Sequence, residues 1–104
     1  MIKSMEVSEL QEKLGKDENL VLVDVREQAE WDEAHIDGAV FLPLSQLEAR
    51  FDELPKDKSL ILQCRSGKRS MNAAIFLKDN GYSDLTNLEG GIMAWMDEGF
   101  DVND

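Results

Sequence analysis

A short apolar run, Ser59-Leu60-Ile61-Leu62-Gln63, leads directly into the polar stretch Cys64-Arg65-Ser66-Gly67-Lys68-Arg69-Ser70. Continuous apolarity over the length of a strand is typical of a strand that is buried on both faces of a parallel sheet. Residues 68–80 then have the apolar spacing of a long helix, and Gly81 stands where a helix C-terminal glycine belongs. We therefore predict a buried strand, a polar loop and a long helix, in that order.

Strand-like and helix-like segments alternate over the rest of the chain as well. Residues 20–23 form a second continuous apolar run, and weaker strand patterns lie at residues 2–5, 39–42 and 85–88. Helical spacing of apolar residues occurs at residues 7–14, 44–51 and 92–98. Ser8 with Gln11, and Ser45 with Glu48, have the spacing of helix capping boxes. This alternation predicts an α/β fold with a mostly parallel sheet.

Length and charge limit the classes of function. The chain has 104 residues, which predicts a single domain over residues 1–104. With 22 acidic residues against 11 Lys and Arg, its net charge of -11 disfavours nucleic acid and anionic membranes as partners. One cysteine and one histidine exclude a disulfide within the chain and a Cys/His zinc cluster. No apolar run has the length of a signal peptide or a membrane span, so we expect a cytoplasmic protein.

The polar stretch at residues 64–70, called the cysteine loop below, reverses the charge of the chain. It holds three of the 11 basic residues and no acidic one. At the start of a helix, Cys64 would face unpaired N–H groups and the positive end of the helix dipole. Such surroundings lower a thiol pKa from about 8.5 to between about 3.5 and 7.5. Gly67 lets the N–H groups converge on one point, so we expect a nucleophilic thiolate that also receives a small oxyanion.

The alternative reading of the same stretch is a buried structural cysteine followed by an amphipathic helix with a basic start. A cation at a helix N-terminus is unfavourable by about 0.3–1 kcal/mol because it faces the positive end of the helix dipole. Three such cations therefore need a reason other than stability, which favours a functional loop.

Three spaced motifs resemble those of rhodanese-homology domains. The first is the cysteine loop, which resembles the active-site loop of that family. The second consists of Asp24-Val25-Arg26, Glu30-Trp31, His35-Ile36, Gly38-Ala39 and Pro43, and the third is Asn87-Leu88-Glu89-Gly90-Gly91-Ile92-Met93-Ala94-Trp95. They come in the family's order and span residues 24–95. One departure is Ala34, since the family usually has glycine before this histidine.

The resemblance implies a rhodanese-like fold, with a central five-stranded sheet flanked by helices on both faces. It also implies a thiosulfate sulfurtransferase that needs no cofactor or metal. Cys64 would attack the outer sulfur of thiosulfate or a similar anionic donor and carry that sulfur as a persulfide to cyanide, a thiol or a sulfur-accepting protein. Backbone N–H groups of Arg65, Ser66, Gly67, Lys68, Arg69 and Ser70 would cradle the persulfide. The cations Arg65, Lys68 and Arg69 would attract the donor.

Two rival functions use related folds. A cysteine phosphatase or arsenate reductase needs an arginine after Cys and five further residues, so that it can clamp an oxyanion with two hydrogen bonds. Here Arg69 comes after four residues, and Ser70 occupies the arginine position. A non-catalytic interaction module of the same fold often lacks the cysteine, whereas this chain has it.

Residues outside the cysteine loop are interpreted as structural. We expect Arg26 and Glu30 to form an ion pair across one helical turn. Asp24 is expected to fix neighbouring backbone or to pair with Arg26. His35 lies outside the loop, and Gly90-Gly91 is expected to form a tight turn before the last helix.

Overall fold

A parallel five-stranded sheet forms the centre of the computed structural model, which describes all residues 1–104. Its strands are β1 (Lys3–Met5), β2 (Leu20–Asp24), β3 (Val40–Phe41), β4 (Ser59–Gln63) and β5 (Leu85–Leu88). They lie in the order β1-β5-β4-β2-β3. The apolar run at residues 59–63 is therefore the middle strand, and the predicted edge strand is β1.

Helices cover both faces of this sheet, as expected. They are α1 (Val7–Lys13), α2 (Gln28–Glu33), α3 (Leu44–Arg50), α4 (Lys68–Asp79) and α5 (Gly91–Asp97), with a 3-10 turn (Phe51–Glu53) after α3. Buried residues of α1 and α5 form one core cluster, and buried residues of α3 and α4 form the other. None of these helices has the length and apolar character needed to cross a membrane.

Strand β4 supplies side chains to both core clusters. Leu60 and Leu62 belong to the cluster under α3 and α4, whereas Ile61 belongs to the cluster under α1 and α5. All three are fully buried, and each buried aliphatic side chain of this size contributes roughly 1.5–3 kcal/mol. This two-sided burial explains why the strand reads as a continuous apolar run.

The two predicted capping boxes are wrong. Helix α1 begins at Val7, so Ser8 lies inside its first turn and caps nothing. Pro43 precedes α3, and the Ser45 hydroxyl donates instead to the carboxylate of Glu27, with 2.7 Å between the oxygens. The capping spacing is short and common, so it does not fix the residue at which a helix begins.

A true capping box begins α2, a helix that the apolar spacing did not predict. The Glu27 side chain accepts from the N–H of Glu30, and the Glu30 carboxylate accepts from the N–H of Glu27. No residue of this six-residue helix is buried. Because apolar periodicity marks only a buried helix face, the sequence pattern carried no signal here.

Candidate active site

Cys64 follows the last residue of β4, at the carboxyl end of the middle strand. Its side chain is buried, with 1% of the residue exposed. The chain then curls around the sulfur, so that the N–H of Gly67 donates to Sγ at 3.0 Å. The hydroxyl oxygen of Ser70 lies 3.4 Å from Sγ. Gly67 caps α4 with a φ of 108°, which only glycine adopts readily.

The cysteine loop lowers the pKa of Cys64 below its ordinary value. Burial acts in the opposite direction and raises the pKa, but hydrogen bonds outweigh it. They come from the Ser70 hydroxyl and from the N–H groups of Ser70, Gly67 and Ser66. Hydrogen-bond donors that converge on Sγ are therefore the cause of the lowered pKa of Cys64.

Hydrogen-bond donors that lie outside the cysteine loop bind the first two carbonyls of the loop and keep them directed away from the sulfur. The carbonyl of Cys64 accepts from the N–H of Ile92 at 2.9 Å and from the Gln63 side chain at 3.0 Å. The carbonyl of Arg65 accepts from the N–H of Met93 at 3.0 Å. With these carbonyls bound to the start of α5, the N–H groups that follow are free to face Sγ. Gly91, at a φ of 57°, permits this approach because it has no Cβ.

The three cations of the loop have different surroundings. Arg65 and Lys68 are exposed and form no ion pair, and the Arg65 side chain donates from Nε to the thioether of Met93 at 3.4 Å. Arg69 instead donates from both terminal nitrogens to the carboxylate of Glu30, at 2.7 and 2.8 Å. The Glu30 carboxylate on α2 therefore balances much of the positive charge of Arg69.

The predicted ion pair between Arg26 and Glu30 is wrong. Arg26 is buried and pairs with the fully buried Asp24, with 2.8 Å between Nη2 and Oδ2. It also donates to the carbonyl of Ala34 at 2.7 Å. A buried carboxylate two residues away requires a partner more strongly than a half-exposed one does, so Asp24 takes the arginine. That pairing agrees with the expected role of Asp24.

The Glu30–Arg69 pair predicts a pH-dependent stability. The hydrogen bond from Arg69 lowers the pKa of Glu30 to about 2, against a smaller opposing effect of burial. Because this pKa lies below that of an unfolded glutamate, about 4.3, the stabilisation is complete above pH 4.3 and is lost as the pH falls towards 2. We expect Glu30→Gln to lower Tm by a few degrees at pH 7 and to flatten the acid-side loss of Tm.

Thermal melts between pH 2 and 7 measure this effect. Glu33→Gln, on the same helix and without an ion pair, is the matched control and should follow the wild-type curve. Parallel curves for Glu30→Gln and the wild type would contradict the assignment.

His35 packs against Trp31 and pairs through its backbone with the C-terminal segment. Its ring stacks on Trp31 with 3.8 Å between centroids, and its backbone exchanges two hydrogen bonds with Asn103. Gly90 precedes α5 and Gly91 is its first residue, and both adopt positive φ, which agrees with the predicted turn before this helix.

The sequence did not predict the roles of two buried polar residues at the site. Gln63 holds the Cys64 carbonyl, and Asn87 of β5 is bonded to both Gly67 and Ser70. Asparagine is depleted in strands, so its place in a short buried strand was the available signal.

Comparisons with known proteins agree with this geometry. The family model of the Rhodanese-like domain matches residues 6–98. A sulfurtransferase of Allochromatium vinosum is 36% identical over 102 residues, covering 98% of this chain and 95% of that protein. The thiosulfate sulfurtransferase GlpE of Shewanella oneidensis is 35% identical over 74 residues, covering 71% of this chain and 73% of that protein. A rhodanese-related protein from Thermoplasma volcanium superimposes with a TM-score of 0.88 at 31% identity, covering 97% of both chains. The chain therefore belongs to the rhodanese-like domain family.

Proposed function

We propose that this chain transfers sulfane sulfur through a persulfide on Cys64. The observation that carries the proposal is the enclosure of Sγ by hydrogen-bond donors, which stabilises a thiolate and then the negative outer sulfur of a persulfide. Its relatives named as sulfurtransferases support the same reaction class.

The reaction requires no external oxidant. The Cys64 thiolate attacks the outer sulfur of thiosulfate, the S–S bond of thiosulfate breaks, and sulfite leaves with the electron pair. Cyanide or a thiolate then attacks the outer sulfur of the persulfide. Its S–S bond breaks, the Cys64 thiolate is regenerated, and the product is thiocyanate or a new persulfide.

Thiosulfate or a similar small anion is the donor that the loop suits best. Arg65 and Lys68 are exposed beside Cys64 without carboxylate partners, although the chain carries 22 acidic residues. They can attract an anion that the overall charge of -11 would repel. Arg69, with both terminal nitrogens bound to Glu30, contributes less to this attraction. The acceptor is cyanide in assays, and a thiol or a sulfur-accepting protein otherwise.

Intact mass spectrometry tests the persulfide directly. Because Cys64 is the only thiol, thiosulfate treatment should leave the protein one sulfur atom heavier, and cyanide or dithiothreitol should restore the original mass. An unchanged mass under saturating thiosulfate and other sulfane donors would refute the carrier role. Aryl phosphate hydrolysis on the same preparation should stay at background, because Ser70 stands where a phosphatase needs arginine.

A further inference from the structure

Asn87, on strand β5, forms hydrogen bonds to two residues of the cysteine loop. It lies on β5, beside Leu62 of the middle strand, and is only 4% exposed. Its Nδ2 donates to the carbonyl of Gly67 at 3.1 Å, and its Oδ1 accepts from the hydroxyl of Ser70 at 2.5 Å. A single side-chain amide therefore holds the residue that caps α4 and a residue in the first turn of that helix.

These two bound residues also surround the sulfur. The N–H of Gly67 donates to Sγ of Cys64, and the Ser70 oxygen lies 3.4 Å from the same atom. The bond to Asn87 fixes the carbonyl side of Gly67, which limits rotation of the backbone that presents its N–H. The Ser70 hydroxyl has one proton, so its bond to Asn87 at 2.5 Å competes with donation to Sγ at 3.4 Å while it holds the oxygen beside the sulfur.

We propose that Asn87 is a positioning residue for sulfur transfer, which holds Gly67 and Ser70 so that both face Sγ of Cys64. It does not touch the sulfur and acts only through these two neighbours. The role deepens the proposed function and rests on it, since it assumes that Cys64 is the sulfur carrier.

A purely structural Asn87 would affect stability alone, whereas a positioning Asn87 also affects the ionisation of Cys64. If the backbone at Gly67 becomes mobile, the thiolate loses the Gly67 N–H and its pKa rises. A Ser70 hydroxyl released from Asn87 would act in the opposite direction, so the effect through Gly67 is measured with Ser70 replaced by alanine. The charged groups of the loop are Arg65, Lys68 and Arg69, the last of which faces Glu30 of α2. None of them is hydrogen-bonded to Asn87, so its replacement leaves their charges in place.

The test is a titration of the Asn87→Leu variant made in a Ser70→Ala background, compared with Ser70→Ala alone. The ultraviolet absorbance of the Cys64 thiolate is followed against pH, with Cys64→Ser subtracted as the blank. We expect the midpoint to rise by about one pH unit and kcat/KM for thiosulfate–cyanide transfer to fall roughly tenfold or more. Thr86→Val is the matched control, because Thr86 is a buried neighbour on β5 without a hydrogen bond to the loop. It should stay within about twofold of wild type in kcat/KM.

A folded Asn87→Leu variant with an unchanged midpoint and unchanged kcat/KM would overturn the proposal. Should that variant fail to fold, Asn87→Ala removes the same two hydrogen bonds without adding apolar volume, and the same outcomes decide. Failure of the proposed function would look different, since wild-type protein would then acquire no sulfur from thiosulfate. The thiolate titration would still show whether Asn87 positions the donors to Cys64.

Discussion

Replacement of Cys64 by serine is expected to abolish sulfur transfer. A serine hydroxyl is a far weaker nucleophile than a thiolate, so thiosulfate–cyanide turnover should fall by more than about a thousandfold, to background. The fold should persist, because the oxygen can accept from the Gly67 N–H that now donates to sulfur. Thiocyanate release and a thermal melt on the same preparation measure both effects.

The adjacent Ser66 provides a control for this loss. Ser66 is exposed, and its side chain makes no hydrogen bond within the chain, so Ser66→Ala keeps the nucleophile while changing a neighbouring loop side chain. It should retain most of the turnover and should still gain one sulfur atom. Substantial turnover by Cys64→Ser would show that another group carries the sulfur.

The Gly91→Ala substitution is expected to have the next largest effect. A Cβ at Gly91 would lie 2.5 Å from the carbonyl oxygen of Arg65 and would also overlap that of Cys64, and both are backbone atoms that cannot turn aside. The cysteine loop must then move away from α5 and lose the bonds that orient its carbonyls. We expect kcat/KM to fall at least about tenfold, because small displacements at a reacting centre have large effects on rate.

Gly99→Ala is the matched control for this second prediction. Gly99 also has a positive φ, 79°, but a Cβ there would meet nothing within 4 Å. Both substitutions share the strain of left-handed backbone, about 1–2 kcal/mol, so a comparison of their melts isolates the contact with the loop. Equal losses of Tm and of activity in the two variants would rule out a special role for the Gly91 approach.

The parts of this fold that the sequence predicts are those written in local patterns. The middle strand can be predicted because Leu60, Ile61 and Leu62 are buried on both faces and form a continuous apolar run. The cysteine loop can be predicted because it is basic in an acidic chain. The turn at residues 90–91 could also be predicted, since two consecutive glycines readily adopt positive φ.

The parts that the sequence did not predict depend on contacts between distant segments. Arg69 pairs with Glu30, which lies 39 residues earlier on a helix without an apolar face. An asparagine in a strand pattern marks Asn87 as unusual, but its hydrogen-bond partners depend on the register that sets it beside Leu62. The predicted pairing of Arg26 with Glu30 failed for a different reason, because Arg26 lies before α2 and burial selected the neighbouring Asp24 as its partner.

The near-complete burial of Cys64 has a consequence for how the protein would endure repeated turnover. In a persulfide the outer sulfur lies about 2 Å beyond Sγ, so it is the atom nearest to solvent and to an incoming acceptor. Acceptors would then take the delivered sulfur and leave the cysteine's own sulfur in the chain through every cycle. An isotope label placed in the outer sulfur of thiosulfate should appear quantitatively in thiocyanate, while a label in the protein's cysteine should remain there.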